Sequence, residues 1–287
     1  GGGGDGAATP VPAPPASTVT PPAIQTSTVN WSLSRVSPAE ADTTVNAVEA
    51  ILDHVFGDAA VQSAMLVKDG YIVGERYAEG IDANTLGTSW SVAKSYYSAA
   101  VGIAVDEGWI SSLDQPASDF FTEWEGSSKS DITIRDLLEM RSGLPASSRI
   151  FFAADQTAFS LDLNKTRPEG GTFVYSNPTS QLFEPLLLRS TGLDAHSYLR
   201  QKLLSPIGIN VDQIGMWRDA VGNPVTYFGL DMRPEDMARF GLLYARGGEW
   251  DGTQVVSESY VTASISAQSE FYGFQWWLMN EAYFLSL

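Results

Sequence analysis

The sequence contains no cysteine and only two histidines, and those absences remove much of the catalytic repertoire. Without cysteine there are no disulfides, no zinc–thiolate sites and no thiol nucleophiles. His54 falls inside the first amphipathic helical segment and His196 near a helix start in LDAHSYLRQKLL, so both read as structural. No G-x-S-x-G nucleophile elbow and no H-E-x-x-H pattern occurs, which argues against a Ser-His-Asp machine and against a metal site. No metal and no organic cofactor is expected. Positive charge is scarce as well: 17 Lys and Arg stand against 34 Asp and Glu, for a net charge of −17. Such a field repels polyanions, so nucleic acid and anionic bilayers are poor partners and a neutral or cationic small molecule is weakly favoured. No run approaches the ~18–20 apolar residues of a membrane-spanning helix.

What is present is ordinary globular material, 44% hydrophobic and 18% charged over 287 residues, enough for one large domain or two lobes. Residues 1–30 are dominated by Gly, Pro, Ala, Ser and Thr and cannot bury enough apolar surface to fold, so they read as a disordered, semi-extended tether. Such a segment resembles the spacer that follows the lipidated cysteine of bacterial envelope lipoproteins. That resemblance implies a protein of the cell envelope, periplasm or exterior, with a lipid tether upstream. At the other end, AYFLSL stops in an apolar, strand-like run; an unfinished strand leaves edge groups uncovered, so further C-terminal strands are expected beyond Leu287.

Between these ends, SPAEADTTVNAVEAILDHVFG reads as one amphipathic helix, with Ser37 as N-cap, Pro38 in the first turn and Gly57 at the end. Two strands around Asp69-Gly70 form a hairpin. A helix is expected from about Ser91 to Asp106. A short one lies in DITIRDLLEMRSGLP, with Thr133 and Asp136 as a capping box and Gly143 as its stop. Others cover Pro178–Arg189, Ala195–Leu204, Pro234–Ala245 and Glu258–Ser264. YGFQWWLM, 272–279, reads as a buried aromatic strand, with Trp276 and Trp277 filling a core. The pattern predicts an α/β chain of α+β type: a sheet lobe from about 31–85 and 265–287, and a mostly helical lobe, 86–264, inserted between them.

One residue breaks this pattern. Lys94 is the only charged side chain from Ala83 to Val105, in a helix apolar on nearly all sides and therefore buried. A buried ammonium is costly unless paired or given a task. Ser91 precedes it by three residues, on the same helix face, and would sit at the helix N-terminus, where negative charge is favoured. A serine hydroxyl needs a base, and an ordinary lysine is protonated at neutral pH. Burial lowers a lysine's pKa, and a charged lysine stabilises a nearby phenolate, so a tyrosine is the useful partner. Tyr175 and Asn177, in FVYSNPTSQLFEPLL, project from a loop at a helix start. Read without function, Ser91 and Asn177 are both good N-caps, Tyr175 is the end of a buried strand, and Ser89, Ser95 and Ser98 are capping or packing residues.

SWSVAKS, ITIRDLLEMRSGL, YSNP, MARFGLLYARGGEWDGTQVVSESYV and YGFQWW, in that order from about Val48 to Leu287, resemble the serine β-lactamase and penicillin-binding-protein superfamily. The likeness is greatest to the class C-type branch with esterases and nylon-oligomer (6-aminohexanoate-dimer) hydrolases. S-x-x-K alone is weak, but with Y-S-N about eighty residues later the pair is specific. The resemblance implies a two-lobed β-lactamase-like fold. It implies Ser91 as acylating nucleophile, Lys94 as its proton-handling partner, Tyr175 as general base, and Asn177 as the amide that orients Lys94 and substrate. The sequence departs from the pattern in having no K-T-G or H-x-G-like third motif after YGFQWW; Lys165-Thr166-Arg167 precedes Tyr175 and cannot serve. The implied activity is ester or small-amide hydrolysis through an acyl-serine. A β-lactamase or D-amino-acid peptidase is the alternative within the superfamily, and an inactive binding or scaffolding member, should the chain end at Leu287, the alternative outside it.

Overall fold

A computed structural model describes residues 28–269 and 271–279. Of the tether expected over 1–30, residues 1–27 lie outside the described residues, as does the unfinished strand in AYFLSL; at its end Val29 packs on the core and the Asn30 N–H donates to the Asp69 carbonyl at 3.0 Å, so these two are ordered.

The first helical segment is divided rather than continuous. Pro38–Ala41 makes a single 3₁₀ turn, Asp42 turns the chain at φ +51°, and helix α1 (Val45–Val55) starts afresh. The Ser37 signal is real but belongs to the short turn, where the Glu40 carboxylate accepts from the Ser37 N–H at 2.8 Å and Oγ at 2.6 Å. Thr44 caps α1 instead, accepting from the Ala47 N–H at 3.1 Å. The hairpin forms as expected from β1 (Ser63–Lys68) and β2 (Tyr71–Tyr77), with Asp69 at φ +52° and Gly70 at φ +79°, the geometry of a type I′ turn. α1 lies on β2, and Val48, Leu52 and Val73 form a small core there.

A second antiparallel sheet carries the chain to the site. Its order is β3 (Gly87–Thr88), β5 (Leu230–Met232), β4 (Gly215–Met216), with Gly87 opposite Met232 and Gly215 opposite Asp231. From β3 the chain enters α2 (Ala93–Asp106), in which every residue from Ala93 to Ala104 is buried. The short helices α3 (Ile134–Leu138), α4 (Gln156–Asp162) and α5 (Asn177–Gln181) follow, then α6 (Phe183–Thr191) and α7 (Ala195–Leu199), which pack against α2. α7 continues into one π turn, Arg200–Leu204. α8 (Pro234–Ala245) covers β1, and a minimal hairpin of β6 (Glu249–Trp250) and β7 (Thr253–Gln254) leads to α9 (Glu258–Ser264).

The aromatic run 272–279 is not a strand. Tyr272 bridges to Ser269 and Trp277, the Gly273 N–H donates to the Trp276 carbonyl at 2.9 Å, and Gln275 sits at φ +63°. The aromatics marked the segment as buried, and Tyr272 and Phe274 are, but its backbone is spent on helices: Phe274 N–H donates to Ser264 O and Gln275 N–H to Leu138 O.

Gly143 likewise does something other than stop a helix. α3 ends at Leu138, and Met140 already turns at φ +57°. Gly143, at φ +76°, brings its carbonyl to the Thr166 N–H at 2.9 Å, and a Cβ there would lie 2.1 Å from the Arg167 carbonyl oxygen. The neighbouring Met140 and Arg141 carbonyls accept from Val174 and Gly170, so this corner holds the loop that delivers Tyr175. Gly143→Ala adds a left-handed penalty and a backbone collision. It should lower unfolding free energy by about 2 kcal/mol or more, read as a lower urea midpoint at unchanged slope.

Candidate active site

Ser89 is stitched to β5, its N–H donating to the Leu230 carbonyl at 2.8 Å and its Oγ accepting from the Leu230 N–H at 3.2 Å. The next residue, Trp90, holds φ +45°, where a bulky side chain costs about 1–3 kcal/mol. That strained corner turns the chain into a 3₁₀ turn, Trp90–Val92, at the head of α2. It leaves Ser91 exposed while Lys94, one helical step inward, is 1% exposed.

Lys94 Nζ donates to Ser91 Oγ at 3.0 Å and to the Tyr227 carbonyl at 2.9 Å. The Tyr175 ring centroid lies 5.0 Å from Nζ and that of Tyr227 5.7 Å, within the range of cation–π attraction. No carboxylate pairs with Lys94 among the described residues. Burial without a counter-charge disfavours the ammonium and pushes the lysine down to about 7. At neutral pH the amine is therefore neutral in a large fraction of molecules and can accept a proton from the hydroxyl it touches.

Tyr175 is not the end of a strand. It lies half-buried in the loop before α5, against Tyr272 at 6.0 Å and Trp277 at 5.2 Å between ring centroids. Asn177 is not the cap of α5. Ser176 is, its Oγ accepting from the Thr179 N–H at 3.2 Å and donating to the Pro145 carbonyl at 3.2 Å. The Asn177 amide, relieved of capping, has no hydrogen-bond partner among the described residues. The structure thus gathers Ser91, Lys94 and Tyr175, and places Asn177 two residues beyond Tyr175 at the first turn of α5.

The histidines are engaged elsewhere. His54 is exposed on α1. His196 is buried between the Tyr97 hydroxyl, 2.7 Å from Nδ1, and the Trp217 carbonyl, 2.8 Å from Nε2, and burial pushes it down to about 4. Among the described residues no cluster of three or more His, Asp or Glu could hold a metal ion, and no helix is long and apolar enough to cross a membrane.

The sequence profile of the Beta-lactamase family matches residues 48–283. The chain belongs to the Beta-lactamase family. Solved structures agree on the fold. A protein assigned as a 6-aminohexanoate-dimer hydrolase from Bacillus anthracis superposes with a TM-score of 0.66 at 20% identity, over 82% of this chain and 68% of that one. A protein assigned as a β-lactamase from Bacteroides dorei gives 0.68 at 17% identity, over 81% and 78%. The octameric penicillin-binding-protein homologue of Pyrococcus abyssi gives 0.62 at 20% identity, over 80% and 64%. A comparison with curated proteins gives no match.

Two residues of this Beta-lactamase family member were not legible as site residues. Tyr227 acts through its carbonyl, which no side-chain motif reports. Gln275, 3% exposed, is saturated: Oε1 accepts from Ser180 Oγ at 2.7 Å, Nε2 donates to the Leu137 and Leu138 carbonyls at 3.1 and 2.8 Å, and its own carbonyl accepts from Ser95 Oγ at 2.8 Å. It ties α2, α3 and α5 to the loop carrying Tyr272 and Trp277. As the single polar residue among bulky apolar ones in YGFQWWLM, it carried a signal. Trp276 does pack inward, against Phe240 and Tyr244, but Trp277 is 43% exposed beside Tyr175 and borders the site rather than filling a core.

The depressed lysine makes stability depend on pH in a defined direction. Below pH about 7 folded and unfolded chains both carry the charge, and the folded state bears the full cost of burying it, on the order of a few kcal/mol. Between about 7 and about 10.4 only the unfolded chain holds the proton, so the cost fades as pH rises. Lys94→Met should therefore have its most favourable difference in Tm from wild type at or below pH 7, shrinking toward pH 10. Thermal unfolding of both proteins across that range checks it; a pH-independent difference would contradict a buried, unpaired amine.

Proposed function

We propose that this protein is a serine hydrolase that cleaves ester or amide bonds through a covalent acyl–Ser91 intermediate. The observation that carries the reading is the contact of Ser91 Oγ with a buried amine that has no carboxylate to hold it charged. Neutral Lys94 takes the Ser91 proton as Oγ attacks the carbonyl carbon; collapse of the tetrahedral adduct returns that proton to the leaving alcohol or amine, leaving the acyl ester on Ser91. A water molecule, deprotonated in turn by the Lys94–Tyr175 pair, releases the acid and restores the hydroxyl. Tyr175 shares the proton path beside the Lys94 amine, and Asn177 offers a free amide to orient Lys94 and substrate. The helix head under Ser91 favours the negative charge that develops there.

Within this chemistry a carboxylesterase or small-amide hydrolase is favoured over a β-lactamase. The wording of the motifs supports it, as does the acidic surface, which does not recruit anionic penicillins; the structural likeness to a protein assigned as a 6-aminohexanoate-dimer hydrolase is in keeping with it. Residues 1–30 support a place in the bacterial cell envelope, periplasm or exterior, with a lipid tether upstream.

A fluorophosphonate probe should add once, on Ser91, and Ser91→Ala should abolish both labelling and turnover without loss of Tm. kcat/KM for short-chain p-nitrophenyl esters should rise with pH through an apparent pKa near 7, because the neutral amine is the active form. Lys94→Arg keeps a cation that cannot deprotonate and should lose about 10³-fold or more in kcat. Undiminished activity in Lys94→Arg, or a flat profile from pH 6 to 8, would overturn the lysine's role. A kcat/KM for nitrocefin exceeding that for the esters would reverse the preference for esterase chemistry.

A further inference from the structure

An aromatic surface begins at the nucleophile and has no task in the chemistry above. Trp90, adjacent to Ser91, is 65% exposed, Phe151 47%, Phe152 90% and Trp217 48%. Isolated exposed aromatics need no explanation, but contiguous ones do. Here the Phe228 ring joins them, with centroids 6.3 Å from Trp90, 5.2 Å from Trp217 and 5.9 Å from Phe151. Phe151, Phe152, Trp217 and Phe228 line a groove of about 430 Å³, within the size range of small-molecule sites. Phe228 follows Tyr227, whose carbonyl accepts from Lys94, and its ring stacks on that of Trp90, the neighbour of Ser91, so one wall of the groove stands beside the proposed site. Another groove of about 450 Å³, lined by Asp106, Glu107 and Lys202, lies at the opposite end of α2.

The walls are fixed in advance. The Trp217 indole N–H donates to Asp231 Oδ2 at 2.8 Å, and its side chain lies against Gly229, where a Cβ would come within 2.7 Å of the Trp217 Cβ. The charges that line the groove are committed. Arg218 donates to the Gly222 carbonyl at 2.9 Å and pairs with Asp194 at 3.3 Å. Asp219 accepts from the Gln156, Val221 and Asn223 N–H groups and from Asn223 Nδ2. A carboxylate entering the groove would meet an Arg218 already paired with Asp194 and the negative Asp219, and a polar donor would find the Asp219 oxygens already accepting from four N–H groups, whereas an uncharged apolar group would cover rings that otherwise face water.

We propose that this groove is the specificity subsite for an uncharged aromatic or long-chain apolar group attached to the scissile ester or amide. The inference rests on the hydrolase reading and names its substrate class.

Two matched pairs test it: p-nitrophenyl hexanoate against acetate, and 2-phenylethyl acetate against ethyl acetate. The wild-type protein should favour the apolar member of at least one pair tenfold or more in kcat/KM, mainly through KM. Phe151→Ala with Phe152→Ala should erase at least fivefold of that preference while turnover of the small member stays within twofold. Phe152→Glu, at a position too exposed to unfold the protein, should erase more by placing a charge in the groove. No preference in either pair, or a preference that survives both variants, would overturn the subsite. Should no ester be turned over and Ser91 stay unlabelled, the hydrolase reading fails by itself. Calorimetric titration of the Ser91→Ala protein with 2-phenylethyl acetate then reads the groove alone: binding lost in Phe152→Glu supports it, and no binding overturns it.

Discussion

The structure turns on one unfavourable act, the burial of a lysine amine in an apolar helix with no anion to offset it. A lysine pushed from its ordinary value to about 7 represents several kcal/mol taken from folding, a large share of a domain's net stability. A carboxylate beside it would recover that energy and at the same time lock the amine in its charged form. What surrounds Lys94 instead are neutral acceptors and ring faces: Ser91 Oγ, the Tyr227 carbonyl, and the Tyr175 and Tyr227 rings. These groups tolerate either protonation state, which is what a proton shuttle requires and a structural ion pair does not.

The rest of the fold reads as the apparatus that keeps this arrangement in place. α2 is buried for twelve consecutive residues, so its first turn cannot drift, and Ser89 pins the approach to it by two hydrogen bonds to Leu230. Between the pinned Ser89 and the buried helix from Ala93 the chain has only the three residues Trp90–Val92 in which to turn, and the left-handed step falls on Trp90 at φ +45°. The strain follows from the two anchors. On the opposite side, Gln275 joins α2, α3 and α5 through Ser95, Leu137, Leu138 and Ser180, so the loop bearing Tyr272 and Trp277 packs on Tyr175 from a rigid base. A fully satisfied buried polar hub specifies one arrangement of the elements around it.

How much of this was legible follows from the range of each interaction. The pairing of Ser91 with Lys94 was visible because they share a helix face three residues apart, and the Asp69-Gly70 hairpin because two residues determine it. The Ser37 cap was legible, but the end of its turn was not, since Asp42 breaks the helix through a backbone conformation that composition does not announce. The alternative reading of Asn177 as a cap fails because Ser176, one residue earlier, takes that place, fixed by the Pro145 carbonyl it also reaches. The aromatic run 272–279 was read as a strand because aromatics favour half-buried backbone of any kind; the hydrogen bonds that bend it come from Leu138 and Ser264, far away in sequence. Tyr227 was invisible, since its contribution is a carbonyl that any residue possesses.

The same distinction separates chemistry from selectivity in this molecule. Ser91 and Lys94 are set by local spacing on one helix face, which a short sequence pattern can express. The groove beside them is assembled from Phe151, on the 3₁₀ turn Ser148–Phe152, and from Trp217 and Phe228, on the loops flanking β4 and β5, residues too far apart in sequence for a short pattern to join. A fold built this way can exchange the walls of its site without disturbing the amine, because the walls stand on loops while the amine is held by a buried helix. The energetic burden of Lys94 is borne once by the core around α2, and the exposed aromatic surface can change without altering it.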